Sequence, residues 1–94
     1  MSAYAKRTDS NHAEIRDKLR EAGFWVWDTH DLGGGFPDLI ALNKSGEFVM
    51  LEVKARGGKL TDDELAFFRE LIEVHHCRKL LVVYNFDDAM EALA

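Results

Sequence analysis

The sequence GFPDLIALNKSGEFVMLEVK, residues 35–54, decides the fold because it contains two strand-forming runs separated by a turn signal. The runs are residues 38–43 and 47–54, both rich in aliphatic side chains, and residues 44–46 connect them. Gly46 closes this connection, and glycine adopts the left-handed backbone conformation of such a turn without steric cost. The stretch therefore predicts an antiparallel hairpin.

The length of the turn sets the register of the predicted hairpin. Pairing Asn43 with Glu47 places Asp38 directly opposite Glu52 on one face, because side chains alternate between faces with a period of two. Lys54 lies two residues beyond Glu52 and therefore projects from the same face. The other pairs predicted on that face are Leu42 with Phe48 and Ile40 with Met50.

This row of charges is unusual because the opposite face of the hairpin is apolar throughout. That opposite face carries Leu39, Ala41, Val49, Leu51 and Val53. We therefore expect other elements to cover both faces of the sheet. Directly opposed carboxylates repel each other and favour a bound cation. A solvated ion pair between Glu52 and Lys54 is the alternative, but the approach of Asp38 from the neighbouring strand favours a functional cluster.

The charged pattern also carries a family resemblance. P-D at residues 37–38 and E-x-K at residues 52–54 resemble the PD-(D/E)XK nuclease superfamily. With the glycine at position 35, the hairpin, and Leu-Thr at residues 60–61, the sequence is similar to the virus-type replication-repair nuclease (VRR-NUC) domain. The resemblance covers most of the chain, from the first predicted helix through the helix that follows residue 61.

The resemblance implies a metal-dependent nuclease that hydrolyses DNA phosphodiester bonds. Asp38, Glu52 and the backbone carbonyl of Val53 would hold Mg²⁺ or Mn²⁺, which are hard cations that take oxygen ligands. Lys54 would orient the attacking water or stabilise the charge developing on the phosphorane. For small stand-alone members the resemblance further implies a homodimer acting on branched DNA such as four-way (Holliday) junctions. A non-catalytic nucleic-acid-binding or oligomerisation module with a vestigial site is the alternative.

Size and composition limit the remaining possibilities. With 94 residues, 47% hydrophobic and 31% charged, we expect a single domain over residues 1–94 with residues 1–8 as a flexible arm. The sequence has no run of membrane-spanning length, no signal-peptide core and one cysteine, which predicts a cytoplasmic protein. The net charge of −5 argues against coating nucleic acid by bulk electrostatics.

Local cations must then supply any contact with a phosphate backbone. Arg56 and Lys59 lie in a glycine-containing loop directly after the predicted site, and either could equally be part of a solvated turn. Gly35 ends a run of three glycines that would let the backbone pass close to a substrate near Asp38, with a plain flexible connection as the alternative. His30, at the start of this loop, is interpreted as a bystander.

The first predicted helix begins at Asn11 and ends before Gly23, with Ile15 and Leu19 on its apolar stripe. Glu14 has two open interpretations. It fits a capping box with Asn11, and the resemblance implies an acidic residue of the first helix at the metal site.

The other elements complete the fold prediction. Residues 24–29 form a strand whose Trp25 and Trp27 we interpret as core residues. Thr61 caps a helix that extends to about residue 75 and buries Leu65, Phe68 and Ile72. VRR-NUC domains commonly carry Gln at the position of Glu64, so capping of this helix is the better account of Glu64. Residues 79–84 form a buried strand, and Asp87 caps a last helix. This order predicts an α/β fold with a mixed sheet flanked by helices, the αβββαβ core of restriction-endonuclease-like proteins.

Overall fold

A computed structural model describes residues 11–94 of the chain, so the predicted arm at residues 1–8 lies outside the described residues. The helices are α1 (His12–Glu21), α2 (Asp62–Arg69) and α3 (Phe86–Ala92), and the strands are β1 (Val26–Asp28), β2 (Leu39–Leu42), β3 (Phe48–Val53) and β4 (Leu80–Val83). A 3-10 turn, His30–Leu32, follows β1, and a π-helical segment, Glu70–Val74, continues α2. The order confirms the predicted αβββαβ core.

The four strands form one mixed sheet in the order β1-β2-β3-β4. The first three strands are antiparallel neighbours. After β3 the chain forms α2 and then β4, which lies parallel to β3. Ile40 pairs with Met50 and Leu42 with Phe48, as the turn length predicted. The mixed sheet and its helices are those of a restriction-endonuclease-like α/β fold.

The hairpin turn is held by a side chain as well as by glycine. Gly46 has a φ of +80°, as predicted. The Asn43 Oδ1 atom also accepts hydrogen bonds from the backbone amides of Ser45 and Glu47, both at 2.9 Å. This bonding fixes the turn length, and with it the register that places Asp38 near the end of β3.

One face of the sheet packs against α1 and α3 to form the main core. Its hairpin residues are the predicted apolar set, and all are buried: Leu39, Ala41, Val49, Leu51 and Val53. Ile15 and Leu19 from α1 and Leu93 at the end of α3 pack against them. Hydrophobic burial on this face therefore stabilises the sheet that carries the charged row.

The prediction that both sheet faces are covered is wrong for part of the second face. Trp25, Trp27 and Phe48 are 46%, 61% and 64% exposed, so the interpretation of the tryptophans as core residues is also wrong. We call the surface formed by Trp25, Trp27, Ile40, Phe48 and Met50 the tryptophan face. α2 leaves these rings uncovered, because it packs at the opposite end of this face, where Asp38 and Glu52 lie and where Glu64 of the helix pairs with Lys54.

The helix over the second face differs from the prediction in what it buries. Thr61 caps α2, and Glu64 completes the capping box, as predicted. Of the three side chains expected to be buried, only Phe68 is; Leu65 and Ile72 are exposed. α-Helical geometry ends at Arg69 and the π-helical segment follows, so the side chains beyond that point no longer follow the 3.6-residue pattern.

Two predicted helix caps are also corrected. Asn11 precedes α1 but forms no side-chain cap; its amide nitrogen instead donates to the backbone carbonyls of Lys54 and Tyr84. The Asn11–Glu14 capping box is therefore not formed. α3 is capped by Asn85, which accepts from the Asp88 amide at 2.8 Å, and not by Asp87. Within residues 11–94, no helix has both the length and the apolar character that crossing a bilayer requires.

Candidate active site

Asp38 is held in place from two directions at the start of β2. Its Oδ2 atom accepts a hydrogen bond from the Val53 amide at 2.9 Å, and its Oδ1 atom lies 3.1 Å from Nδ1 of His30. Because a carboxylate only accepts, the second contact is a hydrogen bond in the tautomer that carries the proton on Nδ1. The preceding Pro37 is buried, and its carbonyl accepts from the Thr29 hydroxyl at 2.7 Å. The carboxylate therefore points across to β3.

Glu52 is the least usual residue of the site because its carboxyl group is buried with little compensation. The residue is 1% exposed, its Oε2 atom lies 3.7 Å from Nζ of Lys54, and its Oε1 atom has no hydrogen-bond partner in the described part of the chain. Burial, followed by the nearby charge of Asp38 and a hydrogen bond with Glu64, raises the pKa of Glu52 to about 9. This carboxylate lacks a positive charge sufficient to keep it ionised.

Lys54 connects the strand to the helix that covers the site. Its Nζ atom lies 2.8 Å from Oε1 of Glu64, closer than to Glu52. The same Glu64 oxygen accepts from the Thr61 amide at 2.9 Å, which is half of the capping box. Burial acts to raise the pKa of Glu64, but the hydrogen bonds from Lys54 and the Thr61 amide outweigh burial and lower this pKa. Glu64 therefore both caps α2 and contacts the site, a combination that capping alone did not predict.

The start of α2 packs directly against the glycine loop. Gly35 has a φ of +86°, and a Cβ atom at this position would overlap the backbone carbonyl of Asp63. The rings of Phe36 and Phe67 meet edge to face with centroids 5.3 Å apart. The geometry thus gives Gly35 a packing role, since only glycine lets the loop approach α2 this closely.

A second layer of polar side chains lies behind Asp38. Asp28, at the end of β1, accepts hydrogen bonds from Arg16 at 2.7 Å and from the His30 amide at 3.0 Å. Buried His12 places its Nε2 atom 3.3 Å from Asp28, and its ring lies 4.9 Å from the His30 ring. Burial acts to raise the pKa of Asp28, but the hydrogen bonds from the His30 amide and Arg16 outweigh burial and lower this pKa. His30 is thus not a bystander, and the interpretation from the sequence is wrong.

Sequence reasoning missed most of this second layer. The proximity of His30 to the glycine loop was the only signal, since His12 and Asp28 are far apart in the chain and carry no recognisable spacing. Their meeting depends on how α1 packs beside β1.

The charged row has the donor chemistry of a divalent-cation site. Asp38, Glu52 and the Val53 carbonyl offer hard oxygen donors, and the buried Oε1 atom of Glu52 is without a hydrogen bond among residues 11–94. No three His, Cys, Asp or Glu side chains in the described residues are already arranged around one point. Two carboxylates and one backbone carbonyl are therefore the oxygen donors that this end of the sheet offers. This donor chemistry fits a hard divalent cation.

The remaining predicted site residues lie at different distances from this cluster. Glu14 is not brought to it: its carboxylate pairs with Lys18 at 3.0 Å on the exposed side of α1. Arg56 and Lys59 are exposed in the loop after β3, within five residues of Lys54. They lie in the loop that leads from β3 to α2, and neither is paired with Asp38 or Glu52.

Comparison with protein families matches residues 2–80 of the 94-residue chain to the VRR-NUC domain. This range contains the hairpin, α2 and every residue of the charged cluster. A search of curated proteins found no match.

Proposed function

The chain belongs to the VRR-NUC domain family and is therefore a nuclease of the PD-(D/E)XK type, and on this premise we propose that it hydrolyses DNA phosphodiester bonds with Mg²⁺ or Mn²⁺ held by Asp38, Glu52 and the Val53 carbonyl. Nucleases of this type generally use divalent metals. The proposal concerns which residues hold the ion, what each contributes, and which DNA is cut.

The observation that carries the proposal is the burial of Glu52 beside Asp38 and Lys54. A carboxyl group that is 1% exposed and has an oxygen without a hydrogen bond costs folding free energy. A bound divalent cation would supply the missing charge and the missing partner together. A solvated strand-end ion pair, the alternative drawn from the sequence, would not be buried in this way.

Each side chain has a distinct task in this proposal. When bound, the cation lowers the pKa of a water molecule and neutralises charge on the scissile phosphate. Asp38, fixed by His30 and the Val53 amide, holds a constant position. Lys54, already within hydrogen-bond reach of Glu64, can orient the attacking water or stabilise negative charge developing on the phosphoryl oxygens. Glu64 keeps the ammonium group of Lys54 on the site side of α2.

DNA would approach along the loops that border the cluster. Arg56 and Lys59 provide exposed positive charge next to an otherwise acidic protein. Gly35 would let the loop backbone lie near the sugar-phosphate chain while it packs on α2. Because phosphate contacts dominate such an interface, binding would weaken steeply with added salt.

We also propose that the active form is a homodimer that prefers branched DNA such as four-way junctions. In a chain of 94 residues, 17 Asp and Glu outnumber 12 Lys and Arg, which leaves little basic surface with which to hold a duplex, and specific DNA interfaces bury on the order of 1,000 Å² or more of protein. Two-fold pairing doubles the basic loops and presents two symmetry-related sites. A four-way junction has matching symmetry, so paired cuts become possible.

The decisive experiment measures metal binding by calorimetry and cleavage on the same protein samples. We expect Mn²⁺ and Mg²⁺ to bind the wild type. Asp38→Ala, Glu52→Ala and Lys54→Ala should each reduce cleavage by at least about a hundredfold, on the scale of losing one electrostatic contributor. Asp87→Ala, at an exposed aspartate of α3, is the matched control and should retain full activity.

Two outcomes would overturn parts of this proposal. Cleavage retained by purified Asp38→Ala would remove the metal site, and DNA binding that is independent of metal and leads to no cut would favour the non-catalytic module. A panel of single-stranded, duplex, flap and four-way-junction DNA tests the substrate. Equal rates on duplex and junction would refute the preference for branched DNA while leaving the nuclease intact.

A further inference from the structure

The tryptophan face is an exposed apolar surface at the turn end of the hairpin. The rings of Trp25 and Trp27 lie nearly parallel, with centroids 6.2 Å apart and planes at 21°. Phe48 meets Trp25 edge to face at 6.0 Å. These rings border a groove of about 610 Å³ whose floor includes Ile40 and Met50. Rings held against one another in this way form a pre-ordered surface.

The three aromatic rings of this face leave a contiguous area exposed to water. Aromatic side chains offer about 150–250 Å² each, so exposures of 46%, 61% and 64% leave roughly 300–400 Å² of aromatic surface in contact with water. This area is within the range of the largest apolar patch on a typical monomer, and such a patch is often functional. A standard protein interface buries about 800 Å² per partner, with its most apolar part at the centre. The tryptophan face therefore has the size of an interface centre.

The chemistry around the groove favours a protein partner over nucleic acid. Platforms that stack bases also need cations that follow the phosphate backbone. Among the described residues that line the groove, Lys79 is the only cation, and its Nζ atom lies 3.5 Å from Oε1 of Glu47. Aromatic residues and Met are enriched at protein interfaces, as they are here.

We propose that the tryptophan face binds the same face of a second copy of this chain. The rim supports self-pairing because charges of opposite sign lie side by side there, Lys79 of the groove lining and its partner Glu47. A two-fold axis that passes beside this pair brings Lys79 of each copy to Glu47 of the other, so the surface is complementary to itself. The inference rests on the pairing proposed above, but it does not depend on nuclease activity.

The two tryptophans of the chain both lie on this face, so intrinsic fluorescence reports on it directly. We expect light scattering of the full chain to show a dimer, and the tryptophan emission to shift to shorter wavelength as the dimer forms with rising concentration. Phe48→Lys should weaken dimerisation by at least about thirtyfold and abolish this shift, as expected for a central aromatic anchor. Leu32 is 66% exposed and lies outside the tryptophan face. Leu32→Lys should therefore change neither dimerisation nor the fluorescence shift.

A mixing experiment tests the rim without relying on the aromatic substitution. Lys79→Glu leaves only negative charge on the rim, and Glu47→Lys leaves only positive charge. Each variant alone should pair about tenfold more weakly or worse than the wild type. An equal mixture should recover dimers, because the cross-chain pairs are restored although the pair within each chain is absent.

The outcomes separate this inference from the proposed pairing itself. A wild-type dimer that Phe48→Lys leaves intact, with unshifted fluorescence, overturns the assignment to this face but not the homodimer. A wild type that stays monomeric at all concentrations overturns both. A monomer whose tryptophan emission is quenched by single-stranded oligonucleotide overturns the inference in favour of a base-stacking platform.

Discussion

The two ends of one sheet face reverse the usual distribution of side chains. At the α2 end, Glu52 is 1% exposed, and Asp38 and Lys54 are largely buried with it. At the turn end, Trp27 and Phe48 are more than half exposed. Soluble proteins normally expose carboxylates and bury aromatic rings.

The difference shows that each end is incomplete in the isolated chain. At the buried end, Lys54 lies closer to Glu64 than to Glu52 and does not offset the burial of the Glu52 carboxyl group, and the proposed divalent cation would add positive charge there. The exposed end lacks apolar contact, and a second copy would provide it. α2 creates the contrast because it covers one end and leaves the other open. The following substitutions test how far this contrast depends on α2, on charge and on the second layer.

The largest effect is expected from Gly35→Ala, which separates α2 from the site end. The new Cβ atom would overlap the Asp63 carbonyl, and the φ of +86° disfavours any side chain. We expect a loss of about 3 kcal/mol in the free energy of unfolding, or roughly 12–24 °C in Tm for a chain of this size. Differential scanning calorimetry measures both quantities.

Gly34→Ala is the matched control because its φ of +66° is also positive but its Cβ atom would meet nothing within 4 Å. Gly34→Ala should lower the free energy of unfolding by only about 1 kcal/mol, which is the cost of a side chain in the left-handed backbone conformation. If both variants lose the same free energy of unfolding, the close contact between Gly35 and α2 does not hold α2 in place over the site.

Glu52→Gln should remove a pH dependence of stability that originates at the buried end. Burial raises the pKa of Glu52 from 4.5 to about 9, so the folded protein holds a proton that the unfolded chain releases. The stability contributed by this group is fully present below pH 4.5 and is lost as the pH rises toward about 9. In metal-free buffer the wild-type Tm should therefore fall by several degrees across this range.

Glu52→Gln keeps the shape of the side chain without the ionisable group, so its Tm should vary less with pH over the same range. Thermal melts in a series of buffers with chelator make the comparison. Parallel curves for wild type and variant would mean that Glu52 is not the group responsible.

His30→Ala should weaken metal binding by about tenfold without unfolding the protein. His30 holds Asp38 at 3.1 Å, and residues that orient a metal-binding carboxylate typically contribute 10- to 100-fold in affinity. Calorimetric titration with Mn²⁺ measures the effect separately from cleavage. His75→Ala is the matched control, since exposed His75 also faces a carboxylate, that of Glu70 at 4.0 Å. Equal affinities for both variants would show that the second layer does not position Asp38.

The smallest effect is expected at the exposed loop beyond the site. Replacing Arg56 and Lys59 together with Gln should lower DNA affinity modestly on every sequence tested. The plot of log affinity against log salt should become less steep by about one for each phosphate that the protein no longer neutralises. An unchanged slope would place the DNA elsewhere on the protein. Both side chains are exposed, so Tm should stay the same.

Much of the sheet could be predicted from residues 35–54 alone. A three-residue connection ending in Gly46 determines the hairpin register, and alternation along β2 and β3 then determines which residues share a face. The convergence of Asp38, Glu52 and Lys54 follows from that local geometry. The capping box of Thr61 and Glu64 is equally local, because its partners are three residues apart.

Burial could not be predicted in the same way, because it depends on which elements cover which surface. Trp27 lies in β1 and Trp25 directly precedes it, both within the region predicted as a strand, yet only the tertiary placement of α2 decides that they stay exposed. The same placement brings Glu64 to Lys54, and the packing of α1 beside β1 brings His12 and Asp28 behind His30. The sequence by itself determined the order of the elements along the chain, the hairpin and the row of charges, since the hairpin and the charges depend on contacts between near neighbours in the chain. The surroundings of the charges and rings were decided only by tertiary structure, because they depend on contacts between residues far apart in the chain.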